Sequence, residues 1–121
     1  MNNQTVIQVV LAFNQALNAH DLDAMLALLT EDSVFENTAP APDGTRYTGK
    51  AALRAFWAEF FRAARDQRIE IEEIFSHGRR CVMRWTYHWR DAGGQESRAR
   101  GVDVYRLRGG LIAEKLSYVK G

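Results

Sequence analysis

Asp103 is the residue whose setting most suggests chemistry, a carboxylate placed inside an apolar run, Val102-Asp103-Val104. Alternation along a strand sets it opposite the two valines, on the face it shares with Gly101, Tyr105 and Leu107. A carboxyl group among Trp85, Tyr87 and Tyr105 would be desolvated, which disfavours its charged form and suits it to give or take a proton near neutral pH. The plainer alternative is an aspartate that simply accepts hydrogen bonds from a neighbouring tyrosine or arginine. What stands beside it depends on the next turn. A two-residue Gly109-Gly110 turn pairs Asp103 with Leu116 and puts Tyr118 on its face, whereas a three-residue turn brings Lys115 there instead. Both registers are open. Trp57, Trp85, Tyr87 and Trp89 are suited to shape a site for an apolar or aromatic ligand, and equally suited to fill a core.

Other chemistries find less support. His20, His77 and His88 show no metal-ligating spacing, so no metal site is expected. There is no glycine-rich dinucleotide fingerprint and no phosphate loop, so no cofactor is expected either. Cys81 has no sequence neighbour that would activate a thiol and reads as a small buried hydrophobe. Arg79-Arg80 and the pair Arg98 and Arg100 read as solvated strand-edge charges or salt-bridge partners.

The elements that must carry these residues follow from periodicity. Val6, Val10, Phe13 and Leu17 fall at helical spacing and predict an opening amphipathic helix. Asp21 is placed to cap a second, short helix with Leu22, Met25, Leu26 and Leu29 on one face, ending near Thr30 to Asp32. A short strand over 33–37 and a proline-containing loop over 38–44 come next. A third helix begins near Thr48-Gly49 and carries the stripe Leu53, Phe56, Trp57, Phe60, Phe61 and Ala64. From Asp66 the pattern alternates: Ile69, Ile71 and Ile74 in one strand, Arg80 to Arg90 in a second, Glu96 to Leu107 in a third and Leu111 to Val119 in the last. Turns at Asp91-Ala92-Gly93-Gly94 and Arg108-Gly109-Gly110 separate the last three. Helices first and an antiparallel meander afterwards predict one α+β domain over 1–121, with the helices on one sheet face. The opposite face mixes arginines with Val82, Val102 and Val104, a candidate dimer surface.

Composition bounds the setting. The chain has 121 residues, 46% of them hydrophobic, which suits one domain with a core of its own. A net charge of +1 gives no electrostatic case for nucleic acid. No apolar run is long enough to cross a bilayer, the N-terminus does not resemble a secretory signal, and a single cysteine excludes an internal disulfide framework. A cytoplasmic protein is the expectation.

Four blocks carry a resemblance to a known family. Residues 16–23, Glu31 to Glu36, Tyr47 to Trp57 and Gly101 to Glu114 resemble, in order, the helical opening, first strand, third-helix entry and final hairpin of nuclear-transport-factor-2-like proteins, nearest their polyketide-cyclase-like (SnoaL-like) branch. The resemblance implies a cone-shaped, curved, mostly antiparallel sheet with three N-terminal helices packed on its concave face, an apolar cavity inside, and a homodimer through the outer sheet face. It also implies that Asp103 faces the cavity. Ketosteroid isomerase is a more distant relative. Its oxyanion-stabilising aspartate aligns with Asp103, but its tyrosine donor aligns with Phe13 and its general-base aspartate with Asn37, so authentic ketosteroid isomerisation is excluded. Asn37 remains suited to orienting a substrate oxygen through its amide, or to starting the turn into Thr38-Ala39-Pro40.

The expected function is a small cofactor-independent isomerase or cyclase that transfers a proton on an apolar carbonyl compound. Asp103 is the acid or base, and Asn37, Trp57, Trp85, Tyr87, Tyr105 and Tyr118 contact the substrate. A non-catalytic binding module of the same fold is the alternative, favoured by the lone acid. Epoxide hydrolysis or dehydration ranks third, because it needs several groups around one water.

Overall fold

Asn2 starts the first helix by accepting a hydrogen bond from the Thr5 amide at 2.8 Å. The computed structural model describes residues 2–121. Helix α1 (Asn3–Asn18) buries Val6, Val10, Phe13 and Leu17 along one stripe, as their spacing predicts. His20 then takes a left-handed conformation (φ 54°), and Asp21 caps α2 (Leu22–Ala27) by accepting from the Ala24 amide at 3.1 Å.

The second helix is shorter than its leucine spacing suggests. It ends at Ala27, and Leu29, fully buried, opens strand β1 (Leu29–Glu36). The backbone there is claimed by the far end of the chain. Strand β1 runs parallel to β6 (Leu111–Val119), the Ile112 amide donates to the Leu28 carbonyl at 2.8 Å, and the Ser33 hydroxyl donates to the Ile112 carbonyl at 3.0 Å. Strand β2 (Arg46–Thr48), which the sequence pattern does not reveal, pairs antiparallel with β1 and is fastened by Arg46 to Glu36 at 2.6 Å. Gly49 holds a positive φ of 90° before α3 (Lys50–Ala63), whose Leu53 and Trp57 are buried while Phe56, Phe60 and Phe61 are partly covered.

Strands β3 (Arg65–His77), β4 (Arg80–Arg90) and β5 (Glu96–Arg108) complete a six-stranded sheet in the order β2-β1-β6-β5-β4-β3. The sheet is curved, and only the β1–β6 pair is parallel. A bulge between Ile71 and Glu73 makes Glu72 an extra residue in β3. That insertion returns Ile74 to the face of Ile69 and Ile71, which the odd spacing of the three isoleucines requires. The core lies between the helices and this inner face, where Phe13, Met25 and Leu53 meet Met83, Tyr105 and Leu107. No helix of the described residues is long and apolar enough to cross a membrane.

Candidate functional site

Asp103 shares a face of β5 with Tyr105 and Leu107, as alternation predicts; that face is the inner one the family resemblance implies, and Asp103 is 5% exposed. It lines a cavity of about 120 Å³ between that face and helices α1 and α3, with Phe35, Trp57, Trp85 and Tyr87 among its walls. Trp85 lies against its cross-strand neighbour Gly101, where a Cβ would meet the indole at 2.6 Å; any larger residue would push the indole out of place.

The two registers left open by the sequence are resolved by a bulge. The Gly109-Gly110 turn pairs Arg108 with Leu111 and Leu107 with Ile112, as a two-residue turn does. The register then slips, so that Arg106 faces Glu114 and Ala113 is the extra residue. Beyond it, Lys115 and Ser117 point inward, opposite Tyr105 and Asp103. Tyr118 therefore pairs with Val102 on the outer face, where it is 55% exposed. Its expected place in the cavity is corrected: Ser117 holds that position. Tyr118 instead borders a depression that shares Asn37, Thr38 and Ser117 with the cavity.

Around Asp103 the polar groups are few and specific. The Lys115 ammonium stands 3.6 Å from Oδ2, and the Tyr105 hydroxyl donates to the same oxygen at 3.4 Å. Oδ1 is buried and has no hydrogen-bond partner. Burial, reinforced by the charge of Asp103, holds the Tyr105 hydroxyl well above the ordinary tyrosine value, so it remains a donor. Lys115 is 8% exposed, donates to Ser117 Oγ at 3.0 Å, and lies 5.1 Å and 5.5 Å from the ring centres of Phe35 and Trp57. The indole nitrogens of Trp57 and Trp85 are buried donors without partners. The site thus brings a carboxylate and an ammonium together beside a ring-lined space.

The remaining expected residues divide. Tyr87 lines the cavity, and its hydroxyl accepts from Gln67 Nε2 at 3.1 Å, leaving its own proton free to donate. Burial raises the Tyr87 hydroxyl above its ordinary value, with the Gln67 contact acting weakly in the other direction. Asn37 stands at the cavity rim, but its side-chain oxygen accepts from the Thr45 amide at 2.7 Å, closing the loop before β2. Trp89 stacks on Tyr87 at 4.7 Å yet borders a separate depression. Cys81 is fully buried, and burial pushes its thiol up to about 11, an inert setting. Among the described residues no cluster of three or more His, Cys, Asp or Glu is placed to hold a metal ion.

Besides Ser117, two contributors lay outside the sequence reading. Asn14 lines the cavity from α1 at 5% exposure, and Gln67 supports Tyr87 while donating to the Phe60 carbonyl at 2.6 Å. Asn14 carried a legible signal, since it falls within the helical spacing of Val10, Phe13 and Leu17, where a polar residue is out of pattern.

Comparison with known proteins agrees with this geometry. Residues 10–115 match the SnoaL-like domain. An NTF2-like protein of unknown function from Mesorhizobium loti is 36% identical, over 98% of this chain and 93% of that one, with a TM-score of 0.81. A Mycobacterium tuberculosis protein solved in complex with estradiol-17beta-hemisuccinate is 28% identical, over 94% of this chain and 92% of that one, with a TM-score of 0.80. A Catenulispora acidiphila protein with a ketosteroid isomerase-like fold, solved with trimethylamine, shares the fold at 18% identity, over 91% and 83% of the two chains, with a TM-score of 0.82. No functionally curated protein matches the sequence. With most of its length matched and its strand order and cavity in place, the chain belongs to the SnoaL-like domain family of the NTF2-like superfamily.

Proposed function

We propose that the cavity binds a small, mostly apolar carbonyl compound and that Asp103 moves a proton on it, an isomerase- or cyclase-type step carried by the chain's own side chains. The observation that carries this reading is Asp103, a buried carboxylate that lines the cavity and whose Oδ1 has no partner in the protein. A buried acceptor left unpaired is costly, and a ligand hydrogen would satisfy it. Lys115 supplies the complementary need, stabilising negative charge that develops on a carbonyl oxygen as an adjacent proton leaves. Lys115 thereby provides the second group whose absence weighed against catalysis. The Mycobacterium tuberculosis relative takes a ring-containing ligand, which supports a similar class here. A cavity of about 120 Å³ suits a single ring, so larger ligands would extend through the mouth at Asn37 and Thr38.

Acetophenone in deuterated buffer tests the reading, with loss of its methyl protons followed by NMR. The protein is expected to speed exchange above buffer, Asp103→Asn to slow it by roughly a hundredfold or more, and Tyr118→Phe to leave it unchanged. Binding of such ketones without any exchange would favour the second reading, a non-catalytic pocket, in which the Asp103–Lys115 pair at 3.6 Å is structural.

The working unit in this proposal is a homodimer in the cytoplasm. Phe75, Val82, Val104 and Leu116 form one cross-strand row on the outer sheet face, next to Val102 and Tyr118. Phe75 and Tyr118 are 53% and 55% exposed, an apolar surface of the kind that partners cover. The single buried cysteine fits a reducing compartment.

A further inference from the structure

The choice of a lysine at position 115 is unusual for this chain. Its sixteen basic residues include only three lysines, Lys50, Lys115 and Lys120, against thirteen arginines. Lys50 pairs with exposed Glu31 at 3.5 Å and Lys120 is exposed. Lys115 alone is buried, and it lines the cavity. An arginine could neutralise Asp103 as well, and it is the cation this chain uses elsewhere. A guanidinium, however, does not deprotonate in proteins and cannot act as a nucleophile, whereas a lysine amine among apolar groups can attack a carbonyl carbon.

We infer that Lys115 is a covalent anchor, condensing with the ketone or aldehyde group of the ligand to form a Schiff base while Asp103 moves the protons. This rests on the reading of the cavity as a site for carbonyl compounds and adds a bond to it. Asp103, 3.6 Å from the ammonium, takes one of its protons. The freed amine adds to the carbonyl carbon; the new C–N bond forms as the carbonyl π pair moves to oxygen, and the nitrogen's surplus proton passes to that oxygen. Asp103 then returns its proton to the hydroxyl, the C–O bond breaks, and one water leaves as the iminium forms. Ammonium and carbonyl thus become iminium and water, with no change of oxidation state. Asp103 is again a carboxylate and can take a proton from the carbon beside the iminium, giving an enamine. The rings of Phe35 and Trp57 and the Ser117 hydroxyl, already placed around the Lys115 nitrogen, would hold the cationic iminium in the same way.

Benzoylacetone tests the anchor without any assumption about the natural ligand, because a β-diketone that condenses with an amine rests as a conjugated enaminone needing no reductant. The chain is incubated with it, and the adduct is read by intact mass and peptide mapping. The expected result is a gain of one diketone less one water on the peptide containing Lys115, and its loss in Lys115→Arg, which keeps the charge beside Asp103 and whose folding is checked by circular dichroism. Should that variant misfold, the mapping of the unmodified sequence decides alone. Adducts spread evenly over Lys50, Lys115 and Lys120 overturn the inference. Acetophenone exchange without an adduct on Lys115 also overturns it, while leaving the proton-transfer reading standing. An adduct on Lys115 without exchange upholds the anchor and sinks that reading instead.

Discussion

The Asp103–Lys115 pair is an expensive way to build a core. Two charged groups taken from water are seldom repaid in full by their mutual attraction, and here they are 3.6 Å apart with one carboxylate oxygen unpaired. Removing one partner strands the other, so Asp103→Leu and Lys115→Met alone should each lower unfolding free energy by about 3 to 5 kcal/mol. The double replacement should recover the loss and is expected to match or exceed the original stability, as read from urea midpoints, while abolishing ketone exchange. A double variant as unstable as the worse single one would mean the pair is kept for the fold. Asp103 itself was legible from the sequence because a lone carboxylate between valines breaks its strand's pattern. Its partner was not, since nothing local to Lys115 says which way it faces.

Strands and helices explain that gap. The β4 alternation of Met83, Trp85 and Tyr87 could be read directly, because an antiparallel strand with one inner face repeats every second residue. Bulges break this regularity. Glu72 in β3 and Ala113 in β6 each insert one residue, and the second lies so close to the turn that a two-residue hairpin yields the inward face expected of a three-residue one. Deleting Ala113 should therefore remove the bulge and leave a regular two-residue hairpin, with Lys115 still opposite Tyr105 and facing inward. The expected result is benzoylacetone capture at Lys115 retained, with the fold retained by circular dichroism; loss of capture from a folded variant would show that the bulge does more than absorb one residue. The misread end of α2 has a different cause. Leu26 and Leu29 suit a helix locally, but Leu29 is held by Ile112 in the parallel ladder, a pairing that no local pattern announces. Strand β2 escaped notice because its three residues, Arg46, Tyr47 and Thr48, are too few to show a period.

Across the chain as a unit, the alternating faces and helical stripes were enough for an α+β sheet with helices on one side. The curvature and the inward aim of Asp103 came only from resemblance to the family. The outer row of Phe75, Val82, Val104 and Leu116 carries the remaining prediction. Phe75→Glu together with Tyr118→Glu should convert a dimer to a monomer in light scattering without changing the fold, since both side chains are more than half exposed. A particle of unchanged mass would place any self-association elsewhere.

The parallel pairing of β1 with β6 also governs when the site can come into being. Ser33 finds the Ile112 carbonyl across 79 residues of chain, so the earliest strand to be synthesised must wait for the latest. Closing so long a loop is entropically unfavourable and makes the step slow relative to the local β3–β4 and β4–β5 hairpins. During that interval Leu29 and Phe35 belong to a strand with one edge uncovered, a hazard for association between nascent chains. Lys115 arrives with β6, so no folding intermediate that lacks this strand brings the amine to Asp103. The pair proposed to act on the carbonyl is therefore assembled only as the fold is completed.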